Sequence, residues 1–176
     1  MPAIAITDNN NMFGVFEFSK ECVKNNIQPI IGTSINLLDI VVNNQISQIT
    51  FLVKNEIGYR NLLELSSLSH LNEGNNIGIY FSQLEKFSEG LFCYIGGEFN
   101  PLLFLKRENR KKDIIQLIKN FKGIFKQNFL FEIQRINDQN IDIFEKEFIT
   151  LSKEFDIPLI GSNNIKYAKK EDYSAH

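Results

Sequence analysis

Asp8, Ser34, Glu132 and Asn164 all fall at or near the C-terminal ends of segments that read as β-strands. Loops that follow strand C-termini build the sites of α/β folds, so these residues are expected in one crevice. Their oxygens, from two carboxylates, a hydroxyl and a carboxamide, are hard donors. Such a set makes at most a loose Mg²⁺ or Ca²⁺ site. Lys166 follows closely, and its ammonium has no lone pair to give a metal and repels a dication. It suits neutralising Asp8 or Glu132 instead. An ion pair of Glu132 with Lys166 or Arg135 is therefore expected ahead of a metal contact. Asp8 also has a simpler role, because an Asp before an apolar helix caps the free amides of the first turn. Capping is the preferred reading.

Other chemical side chains are poorly placed for catalysis. His70 lies near the end of a helical segment, where a donor suits the last carbonyls. Cys22 and Cys93 are far apart and outside any C-x-x-C spacing, so they read as buried free thiols. Cys93 has no basic neighbour to lower its pKa. Gly96-Gly97 is followed by Glu98-Phe99 rather than by Lys and a hydroxyl residue, so it reads as a tight turn and not a phosphate cradle.

These residues need strands and helices to position them, and the periodicity supplies both. Ala3 to Thr7 reads as a strand, and Met12 to Asn25 as a helix burying Phe13, Phe16, Cys22 and Val23. Pro29 to Leu37 and Ile49 to Lys54 read as strands, with a hairpin turn over Val42 to Gln48. The spacing predicts a helix from Ile57 to Leu71 with Tyr59, Leu62, Leu63 and Ser66 on one stripe, ended by Gly74-Asn75-Asn76. Gly90 to Tyr94 and Phe129 to Ile133 read as strands around a helix from Lys111 to Lys126 that presents Ile114, Ile118, Phe121 and Phe125. The clearest helix, Asp138 to Phe155, carries Ile141, Phe144, Phe148, Leu151 and Phe155 on one face and leads to a strand over Pro158 to Ser162. This alternation implies parallel strands covered by helices in a single α/β domain.

The 176 residues are 43% hydrophobic and 23% charged, enough for one sizeable core. No apolar run approaches the roughly 18 to 20 residues of a membrane span, and the start lacks the flanks of a secretory signal. A cytoplasmic protein is expected. The formal net charge of -2 argues against a surface wrapped around nucleic acid, while leaving room for a local basic patch.

Several segments, in order, carry a family resemblance: Ala3-Ile4-Ala5-Ile6-Thr7-Asp8-Asn9, Pro29-Ile30-Ile31-Gly32-Thr33-Ser34, Gly58-Tyr59-Arg60-Asn61-Leu62 and Ser88-Glu89-Gly90-Leu91. Phe131-Glu132-Ile133-Gln134-Arg135, the run from Pro158 to Tyr167, and Glu171-Asp172-Tyr173-Ser174-Ala175-His176 continue it. Together they resemble the PHP domain of bacterial replicative DNA polymerase III alpha subunits. The resemblance implies a distorted seven-stranded (βα) barrel, here lacking its first strand and the His-x-His motif borne on it. Both ends look cut, with polymerase palm, fingers and thumb expected beyond the C-terminus.

Metal-competent relatives carry Thr-Asp-His where this chain reads Thr7-Asp8-Asn9, and Gly-Cys-Glu where it reads Gly32-Thr33-Ser34. Their Asn-Asp-x-His corresponds to Asn163-Asn164-Ile165-Lys166. The resemblance thus marks Asp8, Asn9, Ser34, Glu132, Asn164 and Lys166 as positions of a degenerate metal site, with no catalytic residue. His176 matches a closing Ala-His pair and is given no role. No cofactor is expected, and weak Mg²⁺, Mn²⁺ or Zn²⁺ binding is the alternative. The implied function is a non-catalytic structural and docking module of a DNA-replicating polymerase. Its partners would be the rest of the alpha chain, in some bacteria the proofreading exonuclease subunit, and DNA through the full polymerase. The competing reading is a metal-dependent phosphoesterase or 3'-5' proofreading nuclease.

Overall fold

Short runs of β-branched and aromatic residues, each closed by polar turn formers, alternate with amphipathic helices along the chain. A computed structural model describes residues 1–42, 45–72, 76–135, 139–163, 165 and 171. The elements are β1 (Ala3–Asn9), α1 (Val15–Lys24), β2 (Gln28–Val42), β3 (Gln45–Val53), α2 (Glu56–Leu71), α3 (Phe81–Phe87) and β4 (Leu91–Ile95). They continue with α4 (Pro101–Arg107), α5 (Lys111–Phe125), a 3-10 turn (Lys126–Asn128), β5 (Phe129–Gln134), α6 (Gln139–Phe155) and β6 (Leu159–Ser162).

The six strands form one sheet in sequential order, β1 and β6 at its edges. β1 with β2, β4 with β5 and β5 with β6 are parallel, whereas β3 is antiparallel to both neighbours. Parallel pairs thus follow the strand and helix alternation, and the sheet is mixed where the expected hairpin turns the chain back. The direct hairpin from β2 to β3 forces the reversal, since a parallel pair needs a crossover. Its strands also reach further than expected, with Val42 paired to Gln45; the turn between them lies outside the described residues. The sheet curls into a half-barrel flanked by helices, in keeping with the expected PHP-type barrel short of one strand. Its curl brings Thr7 of β1 and Tyr94 of β4 into side-chain contact across the hollow.

Strand pairing separates the two faces. One register row runs Asp8, Thr33, Phe51, Cys93, Phe129, and the next runs Asn9, Ser34, Thr50, Tyr94, Leu130. Alternate residues of a strand point to opposite faces, so the first row faces the helices and the second lines the hollow. On the helix side Thr33, Phe51, Cys93 and Phe129 are fully buried. Phe121 of α5 stacks on Phe129 at 5.4 Å between centroids, and Phe148 of α6 meets Phe131 edge-on at 4.8 Å. Each such pair adds about 0.5–1.5 kcal/mol to the burial of its rings. The expected α5 face is fully realised, with Ile114, Ile118, Phe121 and Phe125 buried. On α6, Phe144, Phe148 and Leu151 are buried, and Phe155 packs partly against the core.

Two other faces are corrected. α1 buries only Val15 and Cys22, leaving Phe13, Phe16 and Val23 at 85%, 73% and 66% exposure. It packs on β2 and β1 at the edge of the sheet, where there is little core to reach. α2 buries Gly58, Leu62, Leu65 and Ser69 rather than the stripe through Tyr59 and Leu63. Its phase is set by a close backbone approach: a Cβ on Gly58 would lie 1.8 Å from the carbonyl oxygen of Gly90. Asn61 Nδ2 donates to the carbonyl of Glu89 at 2.8 Å in the same contact. The helix ends at Asn72, before the glycine expected to stop it; Gly74 and Asn75 lie outside the described residues. The short helices α3 and α4 were not legible as elements. No helix among the described residues is long and apolar enough to cross a membrane.

Candidate functional site: a polar seam inside the half-barrel

The concave row begins at Ser34, whose hydroxyl shares a hydrogen bond with Thr50 Oγ1 at 2.8 Å. Thr50 stands directly opposite Tyr94 on the neighbouring strand. Tyr94 is 8% exposed, and burial followed by the negative charge of Glu132 drives its phenol well above the usual tyrosine range. The hydroxyls of Thr50 and Thr7 oppose that shift as hydrogen-bond partners. The phenol therefore stays neutral.

Glu132 on β5 is 6% exposed. Burial raises its carboxyl above the ordinary value of 4.5, while hydrogen bonds with Ser162 and Gln134 pull it back. Ser162 on β6 donates its hydroxyl to Glu132 Oε1. Gln134 Nε2 reaches the same hydroxyl at 3.5 Å. Gly96 makes room for this carboxylate: a Cβ there would lie 2.4 Å from Glu132 Cβ and 2.7 Å from its Oε2. Gly97 follows with φ 66°, so the pair is the tight turn expected, and its first member is shaped to the glutamate behind it.

These side chains line a cavity of about 760 Å³ open at the end of the half-barrel, with β1 and β6 on its two sides. Asn9, Ser34, Thr50, Tyr94, Glu132 and Ser162 contribute to it. Among the described residues, every buried side-chain nitrogen or oxygen has a hydrogen-bond partner.

Asn9, Ser34 and Glu132 of the candidate site are thus brought to one face. Asp8 belongs to the opposite row, and its Oδ2 lies 3.4 Å from where a Cβ on Gly14 would sit, on the α1 side. Nor does Asp8 cap α1 as expected: it is a strand residue, Gly14 holds the N-cap position and no side chain bonds there. Asn11 serves the turn instead, its Oδ1 accepting from Phe13 N at 3.2 Å. The expected pairing of Glu132 with Arg135 is also replaced, because Arg135 donates to Glu145 at 2.8 Å while Glu132 turns to Ser162. Asn164, Lys166 and His176 lie outside the described residues. His70 lies in the last turn of α2 as expected, but its Nε2 bonds the carbonyl of Asn10 after β1 at 2.8 Å rather than a carbonyl of its own helix. Both cysteines are buried free thiols, and burial pushes the Cys93 thiol up.

Thr7, Thr50, Tyr94, Gln134 and Ser162 were not singled out as site residues from the sequence. Their signal was available: each is a polar or small residue at an alternating position of a strand whose other positions are apolar. A metal would need converging carboxylates, imidazoles or thiolates. Among the described residues, no three of His, Cys, Asp and Glu come together. Glu132 is already hydrogen-bonded to Ser162, and Asp8, in the opposite register row, reaches the cavity only from the β1 edge. These described side chains do not fit a metal cluster.

The PHP domain family matches residues 1–136. The chain is 34% identical to the DNA polymerase III subunit alpha of Borreliella burgdorferi over 193 aligned positions, covering 99% of this chain and 16% of that protein. It is 34% identical to the same subunit of Rickettsia prowazekii, over 100% of this chain and 15% of the relative. The Campylobacter jejuni subunit is also 34% identical, over 99% and 16%. The chain therefore spans less than a fifth of the length of these curated relatives. With its curled mixed sheet and this match over most of its length, the chain belongs to the PHP domain family, in the form similar to one region of DNA polymerase III alpha subunits.

Proposed function

We propose that the chain is the PHP segment of a replicative DNA polymerase III alpha subunit and acts there as a non-catalytic structural and subunit-docking module. Nucleotide transfer would belong to polymerase regions outside it. Its partners would be the rest of the alpha chain, in some bacteria the proofreading exonuclease subunit and, through the whole polymerase, DNA in the cytoplasm.

The observation that carries this reading is the hydroxyl seam. Ser34 bonds to Thr50, Tyr94 to Thr50 and Thr7, and Ser162 to Glu132, which supports a hollow whose polar groups serve one another. Buried polar groups in a complete network stiffen a fold, whereas ligands for a catalytic metal need uncommitted lone pairs and an open position. A barrel of this kind keeps value as a scaffold without chemistry of its own. No metal or cofactor is assigned to it. The test is hydrolysis of bis-p-nitrophenyl phosphate by the 176-residue chain supplied with Mn²⁺ or Zn²⁺. The expected rate is that of buffer and metal alone, and turnover lost in Glu132→Gln would establish the phosphoesterase reading instead.

A further inference from the structure

The turn between α4 and α5 gathers Lys106, Arg107, Arg110, Lys111 and Lys112. Five cations against two anions, Glu108 and Asp113, give this short stretch a net +3, and the rest of the chain then carries -5 of the formal total of -2. Two of the cations are committed: Lys106 pairs with Glu147 at 2.6 Å and Arg110 with Asp113 at 2.6 Å. Arg107, Lys111 and Lys112 are exposed and make no ion pair with the described residues. Asn109, at φ 56°, folds the chain back so that the end of α4 and the start of α5 present these three together.

Lys111 and Lys112 break a local rule. They occupy the first turn of a 15-residue helix, the positive end of its dipole, where acidic side chains are stabilising. Only Asp113 follows the rule there, and no side chain caps the helix. A sequence that departs from local preference without a structural gain marks a surface kept for something else.

We infer that the α4–α5 turn is a contact for the phosphate backbone of DNA, independent of the docking role proposed above. Phosphate oxygens are recognised by exposed Lys and Arg without need of apolar neighbours. A protein partner would want the reverse, since the centres of such interfaces are depleted in lysine. The contact is sequence-independent and electrostatic, which accommodates the negative remainder of the chain by confining the attraction to one corner.

The test measures binding of the 176-residue chain to a fluorescent duplex of about 20 base pairs from low to physiological salt. Three free cations give a slope of log K against log salt near -2.7, by about 0.9 per phosphate contact. Lys111→Glu with Lys112→Glu should weaken binding at least about tenfold at low salt and cut the slope by about 2. The same double variant should melt roughly 2–4 °C higher, because it restores acidic residues to the helix start. Lys20→Glu with Lys24→Glu on α1 changes net charge equally and should leave binding within about twofold of that of the unaltered chain. Equal loss in both variants would reduce the effect to net charge and overturn the assignment. An unaltered salt slope in the α5 variant, or no binding by the original chain at low salt, would overturn it as well.

Discussion

Glu132 is held by three neighbours that each leave it little freedom: Ser162 donates to it, Tyr94 faces it, and Gly96 packs against its Cβ. Gly96→Ala would push a methyl into the glutamate and the strand backbone behind it, 2.6 Å from the Glu132 carbonyl oxygen. A loss of about 2–3 kcal/mol is expected, read from denaturant midpoints, as for other overpacked sites. The carboxyl itself makes stability depend on pH. Its folded pKa is raised by burial, so between its unfolded value near 4.5 and the higher folded value the native state binds the extra proton. Stability from this group therefore falls as pH rises through that window. Glu132→Gln should remove that fall, so that thermal midpoints recorded upward from pH 4 diverge in favour of the variant. Equal pH profiles for the two proteins would mean that Glu132 ionises as freely as in the unfolded chain.

The junction after β1 shows how elements fix the site. Asn10 adopts φ 56°, its amide donates to the Ser34 carbonyl at 2.7 Å, its Oδ1 accepts from Asn36 N at 2.9 Å, and His70 of α2 holds its carbonyl. This one residue locks β1, β2 and α2 in register and so sets Asn9 beside Ser34. Asn10→Ala loses the side-chain bond and strains the left-handed backbone, for an expected cost of about 2 kcal/mol in chemical denaturation. Asn10→Gly should cost less, since it relieves the backbone term alone. Element by element, legibility followed burial. α5 and α6 were readable because a deep aromatic core selects their apolar positions. α1 misled because the pattern Phe13, Phe16, Val23 looks the same whether or not a core stands beneath it, and at the sheet edge none does. α2 carries adjacent leucines at 62 and 63, so periodicity alone left its phase open, and the backbone contact of Gly58 with Gly90 decided it. α4 hides in Asn100-Pro101, where Asn100 Oδ1 caps Leu103 N at 2.8 Å and proline opens the helix. Its apolar run is too short for a period to declare itself.

At the scale of the molecule, a half-barrel with an aromatic core on its outer side and a polar seam within explains which part of the site could be read in advance. Strand ends were located by composition, which singled out Asp8, Ser34, Glu132 and Asn164; of these, Ser34 and Glu132 line the hollow beside Asn9, which the resemblance had marked. The face each side chain takes depends on register, and one residue of difference puts Asp8 in the row opposite Asn9, at the β1 edge of the cavity beside Gly14. The seam hydroxyls were invisible because Ser and Thr look ordinary in a strand until the curl of the sheet brings Thr7 to Tyr94. The outer side should dominate stability: Phe129→Ala, at the junction of Phe121 and Phe131, is expected to cost about 3–5 kcal/mol. The hollow bears on function, and its character is tested most directly by metal stoichiometry. The purified chain would be equilibrated with Mn²⁺ or Zn²⁺, desalted and its bound metal quantified, beside Glu132→Gln and Asp8→Ala. An internally satisfied seam should retain far less than one ion per chain, with the variants indistinguishable from the parent. One or more ions per chain, lost in Glu132→Gln, would contradict the account and make the hollow a metal site.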